Sequence, residues 1–587
     1  MSETVPIITD PTRLLETSID FSRKKEGESR GIEYVICAID IGSTNPKVEV
    51  WNYDPKTKTF SKKDIDVEWG DYKTQVETIS HSRIKFLDNK HTRRLLSLIK
   101  KQVEKALDKE VFNKNRQLVF ATTGFHHDLV ITDPTSDPEA GNAAVLLDDP
   151  SPHPKLDGQQ REIVKKQLKK LGKTLEVFMD NPTTLAKILW LMQNKEALKR
   201  LFNTEKVIDF KHLRFTTIRG LIASEILNNK KTDKRGVKLV PLVEMADLGI
   251  PAFEDFPNDE EDEKISFLEK IGIPAWQIIF SQSQFMASNM HKYGEVLTFD
   301  EKDLAAELRV LAWAMKYGGI NPKGTIICTD SVGKIVSDID TCPINAAHDK
   351  DSHTSYETQR MMANINRDWM GPLTIGLDKA MNAEAYKNVD RIMREMMATG
   401  TETPYIYVPT EKGKGIVYKL EGEEYIEQPR KEIVKWPEEE RKLVMLAVAK
   451  GAFFGIRQKM EHIRNTNKAD MTAPVYFYGG LLGHPHEEGG KDGWQQICVG
   501  AMPQGAEVYE IGLPSGATAV AFCAIQKLLS EKDNKEWQKK FNAIRIKKTG
   551  TGGALQEEYR AWLHAEEKMI EQGLLNMRGN CKITKHV

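Results

Sequence analysis

The sequence predicts a large mixed α/β protein built as two lobes, and three observations carry that reading. Its 587 residues exceed what one hydrophobic core supports, so more than one compact body is expected. Short, continuously apolar strands recur among longer amphipathic helices. Two of these strands, far apart in the chain, end in an acidic residue followed by small ones: Ile39-Asp40-Ile41-Gly42-Ser43-Thr44 and Cys328-Thr329-Asp330-Ser331-Val332-Gly333.

The elements follow in order. Residues 1–31 are polar and end in SRKKEGESRG, which reads as an arm leading into the first strand. Tyr34 to Ile39 is an apolar run suited to a strand covered on both faces, and Lys47 to Trp51 alternates, with Val48 and Val50 on one side. The polar turn between them makes a hairpin. His91 to Asp108 reads as a helix, Gln117 to Thr122 as the next buried strand, and helical patterns dominate from Gly158 to Asn228. Phe253 to Lys264 (FEDFPNDEEDEK) reads as a solvated acidic loop rather than a metal site. Thr325 to Thr329 is a short strand leading into Asp330. The region 340–405 has weak strand signal and reads as an insertion, with a helix near Asp378 to Met397. Lys442 to Arg464 is a helix, Val475 to Tyr478 a strand running into Gly479-Gly480, and Gly516 to Leu529 an apolar helix. The linear domain reading is an arm at 1–31, a first lobe at 32–322, a second at 323–550, and a helix and tail at 551–587.

Composition narrows the function classes. Lys+Arg 84 against Asp+Glu 85 leaves a net charge of −1, so no global field draws the chain to nucleic acid or to an anionic membrane. A small-molecule partner is expected instead. The six cysteines (Cys37, Cys328, Cys342, Cys498, Cys523, Cys581) are scattered without a CxxC pair, which points to a reducing compartment. The opening residues lack an apolar run of signal-peptide length and no 18 apolar residues are consecutive, so a cytoplasmic location is expected. The pairs His126/His127 and His484/His486 lack the spacing of a metal site and read as surface histidines.

Carboxylates at strand ends are placed to hold a metal or take a proton. Gly42, Ser43 and Thr44 beside Asp40 would let backbone N–H groups approach phosphate oxygens, and Lys47 adds a positive charge to the same turn. Gly479-Gly480 could accept the flat face or ribose of a nucleotide. Each feature alone is equally explained by an ordinary turn: an Asx residue at Asp40, a solvated carboxylate at Asp330, a tight turn at Gly479-Gly480. Their order along the chain carries the inference.

That order resembles the FGGY carbohydrate kinases, in their xylulokinase-like branch, of the actin, hexokinase and Hsp70 superfamily. The similarity spans most of residues 33–565. Asp40 to Lys47 resembles the first phosphate loop, D-x-G-T/S-x-x-x-K. Thr123-Gly124-Phe125-His126-His127 resembles the opening of a sugar-contacting segment, S-G-Q-x-H-G. Thr184 to Leu191 with Asn194 resembles a K-x-L-W-L-x-x-N helix, the most distinctive match. Ala447 to Arg457 is similar to an E-G-x-x-F-x-x-R helix, and Trp494-Gln495-Gln496-Ile497 and Gly516-Ala517 match pieces that close the pattern.

The resemblance implies two actin-like (ribonuclease H-like) lobes with mixed sheets flanked by helices, binding nucleotide and sugar in the cleft between them. It implies ATP and Mg²⁺ as cofactors and a sugar as substrate, with a homodimer as an open expectation and no nucleic-acid or membrane partner. By the match, Asp330 is the catalytic base, Asp40 holds Mg²⁺ through water, and Gly42, Ser43, Thr44, Lys47 and Gly333 meet the ATP phosphates. Gly479, Gly480 and Gly516 lie on the adenine and ribose side, and Gly124 and His127 with Asp330 meet the sugar. The sequence also departs from the pattern. Thr329 stands where the family has Gly, Gly333-Lys334 replaces small residues, His484 to Gly493 lengthens the loop after Gly480, and the W-x-D-x-R segment has no counterpart beyond Asp148 and Asp149. These departures keep open a nucleotide-binding sensor or scaffold with weak turnover. A filament or chaperone-type ATPase is disfavoured by the K-I-L-W-L and F-F-G-I-R helices.

Overall fold

The computed structural model describes residues 31–41, 46–63, 75–79, 82–107, 110, 115–124, 128–133, 141–146, 158–170, 184–219, 221–222, 270–273, 286–290, 294–300, 310, 313–314, 317–321, 323–328, 334–337, 369–370, 373, 383–409, 415–466, 470–478, 493–512, 515–541 and 545–575. Two compact units emerge, one of residues 1–311 with 514–541, the other of 312–513 with 542–587.

In the first unit, the apolar run becomes β1 (Glu33–Ile41) and the alternating run β2 (Pro46–Asp54), followed by β3 (Thr59–Lys63), β4 (Gln75–Ile79) and β5 (Ser82–Leu87). Helix α1 (Asn89–Leu107) starts at a carboxylate cap, Asp88 Oδ1 accepting from the His91 N–H at 2.8 Å, and buries Leu95, Ile99, Val103 and Ala106. Next come β6 (Arg116–Gly124), β7 (Leu129–Thr132), β8 (Asn142–Val145), α2 (Gly158–Lys170), α3 (Thr184–Gln193) and α4 (Lys195–Phe202). They lead to β9 (Arg214–Thr216), β10 (Met286–Met290) and β11 (Gly294–Asp300). The main sheet has the order β10-β11-β6-β1-β2-β3, with β11, β6 and β1 parallel and the flanking pairs antiparallel. A second sheet, β4-β5-β8-β7-β9, is antiparallel.

The helical reading of 158–228 is corrected on two counts. Helix α4 ends at Phe202, where Asn203 adopts a left-handed cap, and the chain then forms β9 at the edge of the second sheet. Three residues are too few to show a period in sequence. Within this region the K-x-L-W-L-x-x-N resemblance rests on packing: Trp190 is buried in the core of the second sheet, and the Asn194 side-chain amide donates to the Trp190 carbonyl at 2.7 Å, closing α3.

The second unit contains β12 (Thr325–Cys328), β13 (Lys334–Ser337), α5 (Ala383–Ala398), β14 (Tyr405–Val408), β15 (Ile416–Glu421), β16 (Glu424–Gln428), α6 (Glu438–Thr466), β17 (Val475–Tyr478), α7 (Gly493–Ala501) and β18 (Glu507–Gly512). The chain then returns to the first unit as α8 (Gly516–Leu528) and α9 (Glu531–Gln538), and re-enters the second as β19 (Arg545–Thr551) and α10 (Gln556–Glu571). The unit's main sheet has the order β13-β12-β17-β18-β19, and β14, β15 and β16 form a small antiparallel sheet.

A continuous lobe at 323–550 is therefore not what forms. Helix α8 is apolar all round, with Ala517 to Ile525 buried, and it covers β1, β2 and β6 of the first unit. Nor do 340–405 and 551–587 stand apart, since Val389 and Met393 of α5 and Tyr559, Trp562 and Met569 of α10 lie in the second unit's main core. Among the described residues, no helix is long and apolar enough to cross a membrane.

Candidate functional site

The first unit gathers its chemistry at the carboxyl edge of β1 and β6, where parallel strands leave a crevice for ligands. Asp40 pairs with Lys47 across the β1–β2 hairpin and with Thr123 on parallel β6, so three polar residues form one row across three strands. Alternation places the row on one face. Val35, Cys37, Ile39, Leu118 and Phe120 pack against α1, so Ala38, Asp40, Ala121 and Thr123 face the other way, toward α8. Asp40 is buried and Lys47 exposed. Burying a carboxylate is costly without compensating partners, which sets Asp40 apart from a solvated turn residue.

Thr123 is fully buried and its Oγ1 has no hydrogen-bond partner among the described residues; the same holds for Thr122 Oγ1 on the opposite face. An unsatisfied buried hydroxyl costs about 1–3 kcal/mol. The next residue, Gly124, pairs with Ile41, has φ of 156°, and would place a Cβ 2.8 Å from the Ile41 carbonyl oxygen. The contact between β1 and β6 by itself demands glycine there.

The side-chain network that fixes this edge was not readable in the sequence. Glu49, two residues beyond Lys47 on the same face, is buried and accepts from Thr518 Oγ1 at 2.6 Å, Ser515 Oγ at 2.7 Å, Lys62 Nζ at 2.7 Å and Trp51 Nε1 at 3.0 Å. Ser515 in turn caps α8, its Oγ accepting from the Thr518 N–H. A carboxylate at a helix N-terminus is also favoured by the helix dipole. Glu49 therefore locks the start of α8, and Gly516 with it, to the strand that carries Lys47. Burial would raise the Glu49 pKa, but hydrogen bonds from Lys62, Thr518 and Ser515 outweigh it and hold the carboxyl below its ordinary range.

That direction sets a pH dependence. A carboxyl depressed in the folded state stabilises the fold fully above its ordinary pKa of about 4.3, and loses that contribution as pH falls through the folded value. Glu49→Ala leaves two buried donors, Thr518 Oγ1 and Trp51 Nε1, without an acceptor and is expected to cost about 2–3 kcal/mol at pH 7. Urea unfolding of wild type and variant should show this gap narrowing steadily below pH 4; a gap independent of pH would contradict the assignment.

The second unit repeats the plan. β12 pairs antiparallel with β13 and parallel with β17, as β1 does with β2 and β6. Cys328 and Tyr478 are register partners at the carboxyl edge, and in the sequence Asp330 follows the first by two residues and Gly479-Gly480 follows the second directly. Lys334, paired with Cys328, opens the return strand as Lys47 does near the start of β2.

Of the residues singled out in the sequence, the structure brings Asp40, Lys47 and Gly124 to one strand edge and places Gly516 in the same unit, at the head of α8. Gly42, Ser43, Thr44, His127, Asp330, Gly333, Gly479 and Gly480 lie outside the described residues. Among the described residues, no group of three His, Cys, Asp or Glu side chains is arranged for a metal. Mg²⁺ needs no such group, since it keeps several waters and takes one or two carboxylates. The buried Asp40 carboxylate beside the partnerless Thr123 hydroxyl fits that demand.

No protein-family model matches the chain, and no curated protein sequence matches it. Among solved structures, the xylulose kinase from Rhodospirillum rubrum aligns over 92% of this chain and 100% of that one, with a TM-score of 0.51 and 10% identity. The chain has a carbohydrate-kinase fold. It is a mixed α/β fold, with mixed sheets and flanking helices. Ligand-bound xylulose kinase from Lactobacillus acidophilus (13% identity, TM-score 0.47, 92% of this chain and 98% of that one) is also similar. So is glycerol kinase from Plasmodium falciparum with ADP (11% identity, TM-score 0.48, 93% and 99%).

Proposed function

We propose that the protein is an ATP-dependent carbohydrate kinase that transfers the γ-phosphoryl group to a hydroxyl of a sugar, a pentulose such as xylulose or ribulose. The observation that carries this reading is the repeated edge: in each unit of a carbohydrate-kinase fold, a hairpin strand beside a parallel neighbour runs toward one of the two acidic residues, Asp40 and Asp330.

Phosphoryl transfer needs positioning, charge neutralisation on the phosphates and a base for the attacking hydroxyl. Asp330 takes the sugar hydroxyl proton. Asp40 would hold Mg²⁺ through water, and the ion when bound would supply neutralising charge for the phosphates. Backbone N–H groups at Gly42 and Gly333, the hydroxyls of Ser43 and Thr44, and the Lys47 ammonium bind phosphate oxygens. Gly479, Gly480 and Gly516 serve the adenine and ribose side, while Gly124 and His127 serve the sugar. The scattered cysteines, without a CxxC pair, support a reducing, cytoplasmic setting.

The alternative is a sensor or scaffold of the same fold, favoured by Thr329 and Gly333-Lys334 beside Asp330 and by the missing W-x-D-x-R segment. A coupled ADP-release assay with Mg·ATP across pentuloses, polyols and hexonates separates the two. Sugar-dependent release is the expected result and names the substrate class; ATP binding with no sugar raising ADP release would favour the sensor.

A further inference from the structure

Thr123 stands in the same row as Asp40 and Lys47, on the same face of the sheet, and its hydroxyl is buried without a partner among the described residues. Buried polar groups find hydrogen-bond partners as a rule, so a residue that violates the rule beside a strand-edge carboxylate points to a ligand that completes it. The fold gains nothing from the hydroxyl that valine would not supply, because a β-branched apolar side chain suits a buried strand at least as well. Thr122 provides an internal control. It carries the same unsatisfied hydroxyl one residue earlier, but it shares its face with Leu118 and Phe120 and not with Asp40.

We propose that the Thr123 hydroxyl is a binding group for the hydrated divalent cation at Asp40, accepting a hydrogen bond from one of the cation's waters and thereby fixing the orientation of its water shell. Valine or threonine at this position would then be a choice between fold stability and metal affinity. The inference rests on the nucleotide reading of the Asp40 edge.

The test is Mn²⁺ binding in the presence of ADP, followed by electron paramagnetic resonance, together with thermal unfolding in the absence of metal. Wild type, Thr123→Val, Thr123→Ser and Thr122→Val are compared as full chains. Thr123→Val is expected to bind Mn²⁺ roughly 5- to 30-fold more weakly, the loss of one hydrogen bond to a charged assembly, while unfolding at the same or a higher temperature than wild type. Thr123→Ser keeps the hydroxyl and restores binding. Thr122→Val raises the unfolding temperature and leaves Mn²⁺ affinity unchanged. Equal Mn²⁺ affinity in wild type and Thr123→Val would overturn the inference while leaving the nucleotide reading in place. So would an equal loss in Thr122→Val, or a lowered unfolding temperature in Thr123→Val. A wild type that binds no Mn²⁺ with ADP present would overturn the nucleotide reading itself and this inference with it.

Discussion

Asp330→Ala is expected to lower sugar-dependent ADP release by about 10²- to 10⁴-fold, the range that a positioned general base supplies, while ATP affinity stays near that of the wild type. The separation of the two effects follows from the proposed role. A group that touches the acceptor hydroxyl only as its proton leaves contributes to kcat, whereas nucleotide affinity is set by the phosphate and adenine contacts. Steady-state kinetics at saturating sugar, with nucleotide binding measured by calorimetry, checks both. Turnover within threefold of wild type would remove Asp330 from the base role. Loss of ATP binding together with turnover would assign it to the nucleotide site instead.

The second large effect is on stability, at Gly451. This glycine lies in the middle of α6, a 29-residue helix, where glycine costs roughly 0.5–1 kcal/mol relative to alanine and needs a reason. The reason is contact: a Cβ at Gly451 would sit 2.2 Å from the Tyr407 carbonyl oxygen of β14, and one at Gly455 would sit 2.6 Å from Pro409 Cγ. Helix α6 thus lies directly on the backbone of β14. The same Tyr407 carbonyl accepts from Trp562 Nε1 of α10 at 2.9 Å, so three elements meet at one atom. Gly451→Val is expected to push α6 off β14 and break that bond, destabilising the second unit by about 3 kcal/mol, the upper end of the usual cost of overpacking. Gly451→Ala should fall between variant and wild type. Denaturant unfolding followed by tryptophan fluorescence reads the loss, and an unchanged midpoint for Gly451→Val would show that the helix does not rest on the strand as described.

Gly451 also shows what the family resemblance was reporting. In the stretch matched to E-G-x-x-F-x-x-R, Gly451 permits close approach, Phe454 packs in the core, and buried Arg457 donates to the Ala501 carbonyl at the end of α7, at 3.1 Å, while stacking over Tyr559 at 3.9 Å. The motif is a packing joint between α6, α7 and α10. The W-L-x-x-N match at Trp190 and Asn194 is likewise a core residue and a helix end. Both were legible because a joint of this kind constrains residues a helical turn apart, and neighbours in sequence keep that spacing.

The strand-edge chemistry was legible in part, for the same local reason. An apolar run, an acidic residue, a glycine turn and an alternating return strand lie within twenty residues, so the hairpin pairing Asp40 with Lys47 is written in the order of residue types. Glu49 could not be read in this way. In the alternation of β2 it occupies the side opposite Val48 and Val50, where a charge ordinarily meets solvent, and only α8, carried in from 466 residues further along, turns that position into a buried acceptor. Strand β9, of three residues, has too few to display a period.

What the sequence by itself determined was therefore a set of local elements and the acidic end of β1 with its hairpin return, because each depends on residues within a few turns of one another. The tertiary structure alone decided that α8 belongs with β1 and α10 with the second unit, that Asp40, Lys47 and Thr123 share a row, and that the buried Thr123 hydroxyl has no partner among the described residues. An apolar helix carries no record of which sheet it will cover. That choice is made by the fit of whole surfaces brought together from distant parts of the chain.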